Sequence, residues 1–224
     1  MRIALAALLL MAGAAHAADW SSITNADASA GMKGALVEGA GKAVSLLGTE
    51  NGYFGNPKVK IPLPPAIARA ESALRMMGMK KQADELVLAM NRAAEAAVPE
   101  ARALLVESVQ KMTVQDAKQI LTGGDTAATE YFRRTTEAQL NKRFLPIVKQ
   151  TTDRVGLAQQ YNSLAGQVAQ FGVLGKDEAT VEQYVTKKAL DGLYLTIGEQ
   201  ERALRTNPAG AASSMVQKVF GALK

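Results

Sequence analysis

Lys187, Lys188 and Asp191 fall within about one helical turn of each other, in a stretch otherwise rich in apolar residues. Charges on a buried helix are costly unless paired. Asp191 stands four residues from Lys187 and three from Lys188, so either can neutralise it within the helix. A lysine–carboxylate pair in a cleft is also a candidate for proton transfer. Glu130 beside Tyr131 is the other pair of that kind. Both would have to work without a nucleophile motif nearby.

A second constellation is Gly123-Gly124-Asp125-Thr126, leading into Tyr131, Phe132, Arg133 and Arg134. Backbone N–H groups at a helix start attract anions, and arginines beyond them can complete a phosphate or carboxylate pocket. Asp125 is expected to occupy the N-cap itself and so repel an anion. Arg133 and Arg134 are about 100° apart on a helix and do not face one small ligand together. The run also lacks the spacing and lysine of a phosphate loop.

Asn91 and Arg92 form a third set, in Asn91-Arg92-Ala93-Ala94-Glu95. Arg92 and Glu95 are i,i+3 neighbours and are expected to pair on the helix surface. Asn91 lies beside the apolar stripe, so its amide needs partners; Tyr131 or Arg133 could supply them. The expected role is a polar clamp between helices, and ligand contact is the alternative.

The fourth is a basic stretch. Between Lys58 and Lys81 stand Lys58, Lys60, Arg69, Arg75, Lys80 and Lys81 against Glu71 alone, with Tyr53 and Phe54 just before. Cations mixed with apolar and aromatic residues suit an anionic lipid surface or an acidic partner. Alternatively Val59, Ile61 and Leu63, which alternate with Lys58, Lys60 and Pro62, pack into a groove while the lysines stay solvated.

Several other chemistries are excluded. The 224 residues contain no cysteine and one histidine, His16, inside what reads as a leader. Arg2, the apolar run from Ile3 to Ala12 and the small-x-small site Ala15-His16-Ala17 have the features of a signal peptide. Cleavage after Ala17 would leave residues 18–224 as a single domain with neither histidine nor cysteine. Thiol chemistry, disulfides, histidine-dependent triads and histidine-ligated metals would then be unavailable. No cofactor is indicated. No D-x-D-x-D-G loop is present, so no metal site is expected. The net charge of +5 is too small an excess to argue for nucleic acid. No run after the leader is long enough to span a bilayer.

The elements that must position these residues are helical almost throughout. The expectation is an all-α, single-domain bundle of about eight helices with one long extended proline-containing loop over 49–64. The first helix starts at an Asn25 cap, with Met32, Leu36, Ala40, Ala43, Val44 and Leu47 on one stripe, and ends at a left-handed Gly48. Helices follow over 65–77, closed by Gly78, and over 80–98, interrupted by Pro99. Thr113 and Asp116 form a capping box, and Thr136 with Gln139 a second one, opening a separate segment through Pro146. A helix over 155–171 comes next. The one over 178–205 carries apolar residues, Leu195 among them, nearly all round, as a central bundle helix does. Asn207-Pro208 opens the last.

The strings N-A-D-A-S-A-G (25–31), N-P-K-V-K-I-P-L-P (56–64), M-N-R-A-A-E-A-A (90–97), L-T-G-G-D-T-A-A-T-E-Y-F-R-R-T-T (121–136), L-P-I-V (145–148) and Y-V-T-K-K-A-L-D-G-L-Y (184–194) carry a resemblance. Across nearly the whole chain after the leader, the sequence resembles the bacterial family called domain of unknown function 4197. That resemblance implies an exported helical envelope protein and supplies no catalytic residues.

The reading that follows is a non-enzymatic periplasmic binding or scaffold protein, with Tyr53, Phe54, Lys58 and Lys60 on the surface that meets an envelope protein or anionic lipid. The alternative is a carrier holding an apolar or anionic ligand between helices, with Asn91, Arg92, Asp125, Tyr131, Arg133, Lys188 and Asp191 as polar fixtures. A hydrolase or transferase using Lys188 and Asp191, or Glu130 with Tyr131, is the third.

Overall fold

The structure, a computed structural model, describes residues 25–154, 156, 159–164 and 180–207. The expected leader, most of the 155–171 helix, the side chain of Asn25 and the closing helix after Asn207 lie outside the described residues.

Eight α-helices are present among the described residues, and no strand. They are α1 (Asn25–Leu47), α2 (Pro65–Arg69), α3 (Glu71–Met76), α4 (Lys80–Ala97), α5 (Ala101–Gln110), α6 (Val114–Thr122), α7 (Ala127–Arg154) and α8 (Val181–Thr206). Residues 159–164 are helical as well. Every member of the α1 stripe from Met32 to Leu47 is buried, as are Leu86, Met90, Ala93 and Ala97 of α4. Burial of such aligned apolar faces, rather than helix propensity, is what stabilises short helices in water.

Local signals set most boundaries. Thr113 and Thr180 each open a helix through a reciprocal capping box, with Asp116 and Gln183 as partners. Pro99 turns the chain through a 3-10 turn, Val98–Glu100, between α4 and α5. The expected 65–77 helix is instead two, bent at Ala70 (φ −99°, ψ 8°). The bend accompanies inward placement of Ile67, Ala70 and Leu74 together.

Three expectations are corrected. Gly48 does not adopt a left-handed conformation; Asn51 does, at φ 66°. Gly48 serves close approach instead, since a Cβ there would sit 3.0 Å from Pro99 Cγ. Thr136 and Gln139 open no helix, because α7 runs unbroken through Pro146. Thr136 Oγ1 bonds the Phe132 carbonyl at 2.7 Å and Tyr194 Oη at 2.9 Å. Pro146 is exposed, so solvent can serve the carbonyl its missing N–H leaves behind. Leu195 is not part of the buried surface of α8, being 46% exposed.

α8 is the hub. It packs against α1, α4 and α7, and buries Val185, Leu190, Gly192, Leu193, Tyr194 and Ile197. That nearly continuous apolar girth is the reason the helix sits at the centre.

Candidate functional site: the extended segment and its groove

Residues 48–64 carry no helix, so their backbone groups need partners elsewhere. α4 supplies them from two successive turns. Glu95 Oε1 accepts from the N–H of Tyr53 and of Phe54, each at 3.0 Å, and Oε2 accepts from Arg92 at 2.5 Å. One turn earlier, Asn91 Oδ1 accepts from Ile61 N–H at 2.8 Å. Its amide nitrogen donates to the carbonyls of Ile61 (2.9 Å) and Val87 (2.7 Å). Asn91 is fully buried and all its hydrogen bonds are made within the clamp. It joins helix to extended segment, and its partners are not Tyr131 or Arg133. Glu95 is also buried, at 5% exposure, rather than lying in a surface pair.

The other side of the segment is pinned to α8. The Tyr53 ring lies against Gly192, where a Cβ would come within 2.6 Å of Tyr53 Cε1. This approach lets Tyr53 Oη donate to the Ala189 carbonyl at 2.6 Å. Burial, with Glu95 and Asp191 nearby, holds the Tyr53 phenol well above the usual tyrosine range, so it stays protonated as a donor. Tyr184 Oη reaches the Pro62 carbonyl at 3.2 Å, and Lys58 pairs with Glu199 at 2.6 Å. Val59, Ile61 and Leu63 are buried while Lys58, Lys60 and Pro62 are exposed, so the alternation does pack one side inward. Asn51 and Gly52 make the turn that starts the segment; a Cβ at Gly52 would strike the Leu47 carbonyl at 2.4 Å.

Held this way, the segment forms one wall of an open groove of about 680 Å³, with α2, α3 and the start of α4 opposite. Phe54, Leu63 and Val87 give it an apolar lining, Lys60, Arg75 and Lys80 place cations along it, and Glu71 and Asp84 add two carboxylates on the α3–α4 side. Lys60 Nζ sits 4.2 Å from the centre of the Phe54 ring, a cation–π contact on an exposed edge. Arg75 is tied to Glu71 at 2.5 Å, which raises the pKa of its guanidinium. The groove's size is within the range of ligand and peptide sites. Its side chains offer hydrogen bonds, charge and apolar contact.

The remaining candidates are dispersed. Arg133 lies 3.8 Å from Asp191, bonds Glu137 at 3.4 Å and covers the Tyr194 ring at 4.5 Å. Asp191 thus has its ion pair across the α7–α8 interface. No ion pair joins it to Lys187 or Lys188 among the described residues. Lys188 stands 6.0 Å over the Tyr184 ring. Arg134 turns to Asp116 at 3.5 Å and to the Tyr131 ring, so the two arginines do diverge. Tyr131 Oη donates to the Ser108 carbonyl, and Glu130 accepts from Thr126.

Asp125 is exposed in the turn before α7 and does not cap that helix. The job belongs to Glu201 of α8, which sequence reasoning passed over. Glu201 Oε1 accepts from Ala128 N–H, and Oε2 from Thr129 N–H and Oγ1, all at 2.9 Å. Arg205 completes the set at 2.9 Å and also donates to the Ile120 carbonyl. The helix start therefore already holds its anion, and the anion is a side chain of the protein.

The apolar space among α1, α6, α7 and α8 beside Gly39 amounts to about 20 Å³, too small for an organic ligand. No group of three or more metal-ligating side chains occurs among the described residues. None of their helices is long and apolar enough to cross a membrane.

Glu95 had a signal in the sequence: it is the lone charge in Ala93-Ala94-Glu95-Ala96-Ala97, a run of small residues suited to burial. Glu201, within Gly198-Glu199-Gln200-Glu201-Arg202, reads like a solvated helix end and had none. Comparison with known proteins gives one match: the family model described as "Protein of unknown function (DUF4197)" covers residues 22–221. No curated protein and no solved structure matches.

Proposed function

The chain belongs to the DUF4197 family of proteins of unknown function, and we propose that this member is exported to the periplasm as a binding module of the cell envelope. It works without catalysis, and its partner is anionic. The observation that carries this reading is the groove: an apolar strip edged by Lys60, Arg75 and Lys80, with one wall fixed by buried hydrogen bonds from Asn91 and Glu95. A wall ordered before binding adds no ordering cost when a partner arrives. The excess positive charge of the chain is concentrated in the segment from Lys58 to Lys81, six cations against one carboxylate, and Lys60, Arg75 and Lys80 of that set line the groove. Such a concentration steers anionic partners to one face.

Lys58 contributes less than its neighbour, because Glu199 already neutralises it. Lys60 and Lys80 are the residues to change. In co-sedimentation with isolated envelope membranes, Lys60→Glu together with Lys80→Glu should abolish most of a salt-sensitive association. Unaltered sedimentation of that variant would defeat the reading. Fractionation of cells should recover the chain, shortened after Ala17, with periplasmic contents; recovery in the cytosol would defeat the export part.

A further inference from the structure

Resting on that reading of the basic face, we propose that the anionic partner is the headgroup layer of a lipid bilayer, into which the turn between α3 and α4 inserts Met76 and Met77. This turn is a closed motif. Gly78 takes φ 75°, Met79 N–H donates to the Leu74 carbonyl at 2.9 Å, and Gly78 N–H to that of Arg75 at 3.1 Å. These are the paired bonds of a glycine-ended helix. Leu74 is fully buried and Met79 packs on the core, so the turn is anchored from beneath. Met76 and Met77 are left on the outside, 85% and 46% exposed.

Cations lie next to this apolar tip, with Glu71, Asp84 and Glu85 one turn farther from it. Arg75 precedes the two methionines, and Lys80 and Lys81 follow within one turn, both exposed. Arg75 is engaged by Glu71 and Lys81 lies 3.7 Å from Glu85, whereas Lys80 faces the groove that Lys60 also lines. An acidic protein surface would satisfy the lysines and leave the methionines in water. A second copy would bring the same positive charge against itself. A bilayer is anionic at its surface and apolar just below, so it meets both features, as it does for shallowly inserted basic amphipathic segments.

The absence of cysteine makes the test direct, because a single introduced thiol is unique. Met76→Cys carries an environment-sensitive fluorophore, and Val114→Cys, an apolar position 52% exposed on α6, is the control. Vesicles of phosphatidylcholine with phosphatidylglycerol should shift the emission at position 76 to the blue and leave position 114 unchanged. Vesicles of phosphatidylcholine alone should shift neither position. Lys80→Gln with Lys81→Gln should weaken vesicle binding about tenfold, Lys80 giving the larger part because Glu85 partly neutralises Lys81. Met76→Ser with Met77→Ser should weaken it about tenfold, and the exposure of both side chains leaves the fold intact.

Binding to envelope membranes without binding to the lipid vesicles overturns the lipid proposal and leaves the broader reading standing. Absence of both overturns the two together. A shift at position 76 that grows with protein concentration in the absence of vesicles identifies a second copy as the occupant and overturns the proposal. So does an equal shift at position 114, which marks unspecific adsorption.

Discussion

Two joints hold unlike pieces of chain to α8, and each uses a glutamate, a tyrosine and a glycine. At one, Glu201 receives the first turn of α7, Tyr194 bonds Thr136, and Gly198 makes room for Thr129 Oγ1 at 3.3 Å from where a Cβ would be. At the other, Glu95 of α4 receives the extended segment, Tyr53 bonds Ala189, and Gly192 makes room for the Tyr53 ring. The difference lies in what arrives. A helix satisfies its own backbone except at the ends, so α7 needs an acceptor only at its start. The segment has no such economy, and requires Glu95, Asn91 and Tyr184 along its length. The first joint concentrates its polar bonds in one carboxylate, and the second distributes them.

Substitutions can test that contrast. The largest effect is expected for Glu201→Gln. Both Glu201 oxygens face donors, so either orientation of the amide sets its NH₂ against a backbone N–H of α7, and the carboxylate's charge beside Arg205 is lost. A loss of about 4 kcal/mol in urea unfolding is expected from breaking a buried pair; a loss below about 1 kcal/mol would remove the distinction between the joints.

Next is the alkaline limb of stability. Burial is the main cause of a Tyr194 pKa pushed up to about 12 from the ordinary 10.0. The unfolded chain therefore gives up this proton first. The contribution is whole below pH 10 and fades as pH rises from 10 through 12, the total loss approaching roughly 3 kcal/mol. Tyr194→Phe should flatten that part of the stability–pH curve, and an unchanged slope would contradict it. The Tyr53 phenol is raised too, so Tyr53→Phe should flatten the slope independently at the other joint.

Gly192→Ala comes third. Its Cβ would meet Tyr53 Cε1 at 2.6 Å and Val59 Cβ at 3.2 Å. Overpacking of this kind costs about 2 kcal/mol. It should also speed protease cleavage within 49–64, because the ring that anchors the segment is displaced; an unaltered cleavage rate would mean that α4 alone suffices. The smallest effect is expected for Glu95→Gln. Here one oxygen serves both backbone N–H groups and the other serves Arg92, so a glutamine can keep the first role. Arg92 is 32% exposed and retains Glu50 and Asn51, so about 1 kcal/mol is expected. A cost at Glu95 equal to that at Glu201 would show that both joints depend on a single carboxylate.

Much of the bundle was legible in the sequence because its signals are local. The α1 and α4 stripes, the box at Thr113, the glycine end at Gly78 and the break at Pro99 each depend on residues within about one turn. The α7 segment shows where that stops. Thr136 and Gln139 have capping spacing, yet Thr136 lies inside a helix, bonded to a tyrosine from another one. At the candidate site, the polar face of α4 and the alternation of 58–63 could be read. The placement of that segment over Glu95 and Asn91 could not, and neither could the exposure of Met76 and Met77.

The sequence alone determined that this protein is all-α, where most helices begin and end, and which stripes turn inward. Periodicity, caps and prolines act through neighbours along the chain, and so are written in its order. Only the tertiary structure decided which carboxylates are buried, where Asp191 finds its cation, and that the start of α7 is capped by Glu201 rather than Asp125. Those outcomes depend on groups far apart in sequence. Glu201 and Ala128 are 73 positions apart, and Tyr53 and Ala189 are 136. A buried donor takes whichever acceptor packing delivers, and packing is a property of the whole core.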